Sequence, residues 1–155
     1  MKKIIIAIIV IIILGVAYWL ISPLFRVVKL NEGLPTVNTP STSTPETPPA
    51  APTPVVLREA PMLPHDHDVE GKASIIKLGT ATYLRFENLK TVNGPDLHVY
   101  LSADLENKDS IHLSKIKATE GSVNYLLPEG IDISKYNNAL LWCRAFNVLF
   151  SYAKL

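Results

Sequence analysis

The sulfur of Cys143 is the most reactive group that the sequence offers, and Cys143 is the only cysteine in the chain. A thiolate can act as a nucleophile, ligate a metal or cycle through sulfenic acid. With one cysteine there is no internal disulfide, so an exported domain must fold without that restraint. We predict that Cys143 is a redox thiol. The alternative is a buried cysteine that behaves as a small hydrophobic residue, as free cysteines commonly do.

Two of the four histidines, His65 and His67, are separated by one residue and would lie on the same side of an extended segment. Imidazole binds copper, zinc, nickel and iron, and a thiolate adds affinity for soft metals. One hypothesis is therefore a transition-metal site made by His65, His67, His98 and Cys143. The alternative is a solvated polar segment. We expect His112, which lies near a loop, to face water.

Other catalytic chemistry has little support in the sequence. Asp96 follows Gly94-Pro95, and a turn explains these residues, because Asp and Gly suit turns and Pro fixes φ. The chain has no Gly-x-Ser-x-Gly, His-Glu-x-x-His, phosphate-loop or dinucleotide pattern, and no recognisable motif encodes a cofactor. We therefore favour a protein that is not an enzyme, although a convergent triad is not visible in sequence. The net charge of +1 gives no field that would attract nucleic acid.

Residues 1–30 are predicted to be a membrane anchor. Residues 4–21 are uncharged and mostly aliphatic, and as a helix they would extend roughly 27 Å, close to the hydrocarbon thickness of a bilayer. The alternative is a signal peptide that is cleaved at Gly15-Val16-Ala17. An anchor predicts a single-pass protein of the cell membrane with its C-terminal domain on the extracytoplasmic side.

Residues 31–64 are predicted to be a disordered stalk. They hold nine of the twelve prolines, six threonines and no aromatic residue. Such a segment cannot bury enough apolar surface to offset the entropy that it loses on ordering. Proline favours the extended polyproline II conformation, in which the stalk would reach on the order of 100 Å.

Residues 65–155 are predicted to form a small all-β domain, either a β-sandwich or a barrel-like fold. Aromatic and β-branched residues become frequent from Val69 onward, and hydrophobicity alternates from Leu97 to Ser102 as in a strand with one face in a core. Turns are predicted at 79–80 and 93–96, and one helical turn at 132–136. The predicted strands have the spacing of a sandwich: they are 73–78, 81–87, 97–102, 111–116, 122–127, 139–143 and 148–153.

The C-terminal part of the chain, residues 69–155, resembles a known family, the DM-thirteen domain. Two blocks carry the resemblance, Gly-Pro-Asp-Leu-x-Val-Tyr-Leu and Trp-Cys-x-x-Phe-x-Val-x-Phe. The matching residues are Gly71, 93–101, Tyr125, Leu127-Pro128, 141–150, Ala153 and Leu155. The resemblance implies an extracellular all-β domain with an electron-transfer role centred on a cysteine, which by motif position is Cys143. Because this chain carries no second redox module, that role implies a redox partner protein in trans.

The sequence thus predicts a membrane-anchored, surface-exposed β domain with a redox role centred on Cys143. Two alternatives from other classes remain. One is a non-catalytic extracellular binding or adhesion module, which the absence of a catalytic constellation favours. The other is a metal-binding domain that uses the His-x-His segment.

Overall fold

A computed structural model describes residues 2–22, 27–36 and 52–155. The described residues form one helix and ten strands. The helix is α1, Lys2–Ile21. The strands are β1 Lys29–Asn31, β2 Val55–Pro61, β3 Leu63–Pro64, β4 Val69–Leu78, β5 Ala81–Thr91, β6 Leu97–Ser102, β7 Ser110–Lys115, β8 Glu120–Leu126, β9 Asn138–Cys143 and β10 Val148–Lys154.

The N-terminal helix has the length and composition of a membrane span. It is uninterrupted for 20 residues, because aliphatic side chains dominate it and its single glycine, Gly15, is not followed by a helix breaker. No part of its span Lys2–Trp19 is buried against the rest of the chain. A signal sequence near an N-terminus has these same properties. The prediction of a helix is confirmed, and the membrane anchor itself stays a prediction.

The strands form two five-stranded sheets, which confirms the predicted all-β domain with a sandwich arrangement. The first sheet has the order β1-β8-β5-β4-β2, and the second has the order β3-β10-β9-β6-β7. Each of the seven predicted strands overlaps an observed one. The turn between β4 and β5 falls at Gly79, whose positive φ of 59° suits glycine. The predicted helical turn is present, since the amide of Tyr136 donates to the Asp132 carbonyl at 2.9 Å.

The inner faces of both sheets form the main core, as the alternation along the strands requires. Within β6, the side chains of Leu97, Val99 and Leu101 enter this core. The outer face of the second sheet is also covered, because a smaller apolar cluster lies there. Its buried members are Tyr100, Leu140, Trp142 and Leu149, and Leu105 from the loop between β6 and β7 packs against them.

The predicted stalk over residues 31–64 is wrong at both of its ends. Residues 55–61 form β2, an edge strand antiparallel to β4, and residues 63–64 form β3 beside β10. Proline composition suggested disorder, but Val55-Val56-Leu57 has strand propensity, and prolines are tolerated at sheet edges, where a backbone donor is not needed. The rest of the predicted stalk, residues 37–51, lies outside the described residues.

Residues 28–33 lie along the outer edge of β8 and attach it to the N-terminal part of the chain. Strand β1 pairs with β8 in parallel. The amides of Ser122 and Asn124 donate to the side chains of Asn31 and Glu32 at 3.0 and 2.6 Å. Burial raises the pKa of the Glu32 carboxyl, but hydrogen bonds from Asn124 and Lys117 outweigh burial, so its pKa lies below the ordinary value. The part of the predicted stalk before residue 37 therefore belongs to the same sheet as β2.

One end of the sandwich carries the chain segment that arrives from α1, and we name it the proximal end. Strand directions place five segments there: Val27-Val28, 65–68, 92–96, 116–119 and 144–147. Hydrogen bonds join neighbouring segments, for example from the Thr119 amide to the Val28 carbonyl at 2.9 Å. The opposite end, the distal end, carries the turn at Gly79 and residues 127–137.

We expect replacement of Gly121 by alanine to release β1 from β8. A Cβ on Gly121 would overlap the carbonyl oxygen of Leu30 and also strain a φ of +118°. The expected loss in free energy of unfolding is about 3 kcal/mol. Hydrogen exchange should accelerate at the amides of Val28 and Glu32, which donate to the Thr119 hydroxyl and the Ser122 carbonyl. Amides in β4 should stay protected.

The matched control is Gly130→Ala. Gly130 also has a positive φ, of +72°, but a Cβ there would meet nothing within 4 Å. This control should cost about 1–2 kcal/mol through backbone strain alone. Equal protection of the Glu32 amide in the two variants would show that β1 is not held by the close approach at Gly121.

Candidate functional site

Cys143 is the last residue of β9, and its side chain points into the main core. It pairs with Leu97 of β6 and Val148 of β10. Its exposed fraction is 0 %. Trp142 belongs to the cluster on the opposite face, as strand alternation predicts. In this conformation the sulfur has no contact with solvent.

The turn at 92–96 covers the Cys143 sulfur directly. A Cβ built on Gly94 would lie 3.8 Å from the sulfur and 3.0 Å from the Phe150 ring. A side chain at this position would push against the Phe150 ring, which would have to shift to make room. Gly94 therefore does more than shape a turn, because its lack of a Cβ lets the backbone close over the thiol.

The His65–His67 segment crosses the start of β10 and packs against Phe150. The amides of His65 and His67 both donate to the Phe150 carbonyl, at 3.2 and 3.1 Å. The His67 ring lies 3.9 Å from the Phe150 ring, centroid to centroid. His65 Nδ1 is 2.8 Å from a carboxylate oxygen of Asp66. The structure thus brings the two histidines to the same end as Cys143, with Phe150 near all three.

The four residues of the metal hypothesis are not assembled as a ligand set. Within the part of the chain that the structure describes, no group of three or more His, Cys, Asp or Glu side chains is placed to hold a metal ion. His98 points to the outer face of the second sheet, away from the core that contains Cys143. The metal site stays a prediction without a ligand cluster to support it.

His98 instead forms the centre of a hydrogen-bonded chain with Asp96 and His112. Its Nε2 is 2.9 Å from a carboxylate oxygen of Asp96, and its Nδ1 is 2.8 Å from Nε2 of His112. His98 is 7 % exposed, whereas His112 is exposed, as the sequence predicts. A bulge in the pairing of β6 with β7 shifts the register between Val99 and Tyr100, and it brings His112 beside His98.

The charge of Asp96 determines which ring nitrogens of His98 and His112 carry protons. The hydrogen bond with His98 contributes most to lowering the pKa of the Asp96 carboxyl, so Asp96 is an anion and accepts from His98 Nε2. When both rings are neutral, His98 Nδ1 then carries no proton and accepts from Nε2 of His112. The Asp96 charge also favours the protonated form of His112, but this effect on the pKa is smaller than the opposing ones.

Tyr100 and Arg144 extend the chain into a group of five polar side chains. Arg144 Nε donates to the Tyr100 hydroxyl at 2.6 Å, and the Tyr100 ring lies 5.0 Å from the His112 ring. Partial desolvation of the ring, then the charges of Arg144 and His98, lower the pKa of His112 below its ordinary value, which favours the neutral ring. We call this group the outer-face cluster; its members are Asp96, His98, Tyr100, His112 and Arg144.

Sequence reasoning assigned Asp96 to a turn and His112 to solvent, and it missed the link between them. The spacing Asp96-x-His98 gave one signal, because residues two apart share a side of a strand. The position of His112 depends on the bulge, which the sequence does not mark. A cleft of about 560 Å³ opens beside this face; its lining includes His65, Asp66, Trp142, Leu105, Glu106 and Lys108.

A sequence model of a family described as Electron transfer DM13 matches residues 63–155. The chain belongs to the DM13 family. The matched DM13 segment begins at β3, so β1 and β2 of the first sheet come from residues outside it. It includes Cys143, the outer-face cluster and the Gly94 turn. No curated protein and no solved structure matches the chain.

We expect Arg144→Met to raise the pKa of His112, because the arginine charge is the second largest cause of its lowering after burial. Proton NMR of the imidazole across pH 4–8 measures the midpoint. Since the neutral ring is favoured in the folded protein, its contribution to stability is complete above the ordinary value of 6.5 and is lost as pH falls.

Lys115→Met is the matched control for this experiment. Lys115 is exposed and lies 3.7 Å from Asp96, but its charge is not among the causes that lower the pKa of His112. Its removal should leave the His112 midpoint in place. Equal midpoints in wild type and Arg144→Met would mean that Arg144 does not act on the histidine pair.

Proposed function

We propose that this protein is a membrane-anchored electron transfer domain on the outer side of a cell membrane, with Cys143 as its redox group. The family description, electron transfer, supports the general role. Cys143 is the only thiol available for it. The apolar helix α1 supports the anchor, since it is long and apolar enough to cross a bilayer.

The observation that carries the proposal is the way in which Cys143 is covered. The turn 92–96 lies against the sulfur, and the connecting segment 65–68 packs on Phe150 beside this turn. Connecting segments open at lower free energy than paired strands do. Movement of the Gly94 turn and the Phe150 ring would therefore expose the thiol while both sheets remain paired.

The chemistry that one thiol supports without another cofactor is exchange with a partner protein's disulfide. The Cys143 thiolate attacks one partner sulfur, the partner S–S bond breaks, and a mixed disulfide forms. The second partner sulfur leaves as a thiolate. The partner is then held covalently until a further thiol attacks the mixed disulfide, so this chemistry needs a partner protein in trans that carries a disulfide.

A binding or adhesion module is the second candidate, and the burial of Cys143 favours it. Reactive cysteines lie in partly exposed, electropositive surroundings. Cys143 is fully buried among apolar residues in this conformation. In that case the thiol is a packing residue, and the cleft beside Trp142 is the surface to examine for a ligand.

Thiol reactivity of the full chain in detergent micelles separates the two functions. The rate of labelling by a thiol reagent is measured for the native and for the denatured protein across pH 6–9. The ratio of the two rates gives the free energy of exposing Cys143 in the native protein. If Cys143 is the redox group, we expect the free energy of exposing it to lie several kcal/mol below the free energy of global unfolding, because only the turn 92–96 and the Phe150 ring move. Equality of the two free energies would make Cys143 a core residue and favour the binding module.

Gly94→Ala tests whether the turn is the cover. Its new Cβ would press on the Phe150 ring at 3.0 Å, and we expect labelling of Cys143 to accelerate by at least ~10-fold through a looser cover. Gly33→Ala is the matched control, since a Cβ there meets nothing within 4 Å. If both variants label at the wild-type rate, the turn does not control access to the thiol.

A further inference from the structure

The connection between α1 and the domain is short. The helix ends at Ile21, and the carbonyl of Val28 already accepts hydrogen bonds from Thr119 and Glu120, at 2.9 and 3.1 Å. Between Ser22 and Val27 the chain can span at most about 18 Å. The domain therefore cannot move far from the C-terminal end of α1.

The direction of β1 decides which end of the sandwich stays near the helix. Because β1 runs parallel to β8, with Lys29 opposite Glu120, its first residue lies at the start of β8. The start of β8 is at the proximal end. The distal end is separated from it by the length of β4, which is 10 residues or about 33 Å.

Exposed apolar side chains occur on the segments of the proximal end. Val27 and Val28 lie on the segment that arrives from α1, Val92 lies in the turn that covers Cys143, and Phe146 is 65 % exposed in the loop between β9 and β10. The last two segments are joined, since the Arg144 amide donates to the Asp96 carbonyl at 2.9 Å. An exposed phenylalanine at a loop tip is suited to insertion among lipid headgroups.

Exposed apolar side chains alone do not show which end of the sandwich contacts a membrane, because the distal end also carries them. Leu126 there is 62 % exposed. The tether distinguishes the two ends, since a short linker raises the effective concentration of the bilayer at the proximal end alone. Charge adds little to the attraction between the proximal end and lipid headgroups, because lysines near this end are paired with carboxylates. These pairs are Lys29 with Glu120, Lys90 with Glu70, and Lys115 with Asp96.

We infer that the proximal end of the domain docks on the surface of the bilayer that holds α1, with Phe146 and Val92 in contact with lipid. This inference rests on the membrane anchor of the proposed function. The turn over Cys143 and the outer-face cluster then lie at the membrane surface rather than at the far side of the molecule. A redox partner must reach Cys143 within or beside the membrane.

Photo-crosslinking to lipid tests the inference in the full chain. Benzoylphenylalanine is placed at Phe146 or, as the matched control of equal exposure, at Leu126. Each variant is reconstituted in phosphatidylcholine vesicles, with and without phosphatidylglycerol, and lipid adducts are counted by mass spectrometry. We expect at least ~10-fold more adduct at 146 than at 126, because of the tether, and the same ratio in both lipids because the charges are paired.

Carbonate extraction of the same vesicles makes the two possible failures distinguishable. An integral chain whose residue 146 forms no more adduct than residue 126 overturns the docking and leaves the anchor intact. A chain that carbonate extracts overturns the anchor and the docking together. If a substitution at residue 146 impairs folding, the comparison is repeated with the photo-crosslinker at Val92 and, as the control, at Thr80 in the distal turn.

Discussion

The attachment of residues 28–33 to the edge of β8 determines how the remainder of the molecule is placed. Arg85, which is buried, reinforces it by donating from one guanidinium nitrogen to the carbonyls of Glu32 and Gly33, at 3.1 and 2.9 Å. Its Nε donates to Glu87 at 2.8 Å, so the buried charge is paired. Through these contacts the first sheet gains its fifth strand, and only residues 22–27 separate α1 from the first residue bonded to the domain.

The second sheet differs from an ordinary sandwich sheet because its central strands, β6 and β9, are buried on both faces. All six residues of β6 and all six of β9 are buried. The inner face contains Cys143, and the outer face carries the outer-face cluster beside the apolar patch around Trp142. Polar side chains on such a face are held by one another, which is why His98 finds partners in Asp96 and His112 rather than in water.

The sequence predicted the parts of this structure that depend on local patterns. Alternation along β6 indicated the face of each side chain, and the Gly94 turn was recognised from its residue types. The edge strands β1 and β2 were missed, because their pairing is set by tertiary contacts such as the close approach of Leu30 to Gly121. The link from His98 to His112 was missed for a similar reason, since it depends on a bulge in the register of β6 with β7.

The turn at 92–96 is the element that connects the two groups of functional interest. Gly94 faces inward over the sulfur of Cys143, while Asp96 faces outward and accepts from His98. Its backbone also accepts from Arg144, the residue that follows Cys143. Cys143 and the histidine pair lie on opposite faces of one sheet and do not touch. A movement of this turn that exposes the thiol would therefore also disturb the hydrogen bond between Asp96 and His98 on the other face of the sheet.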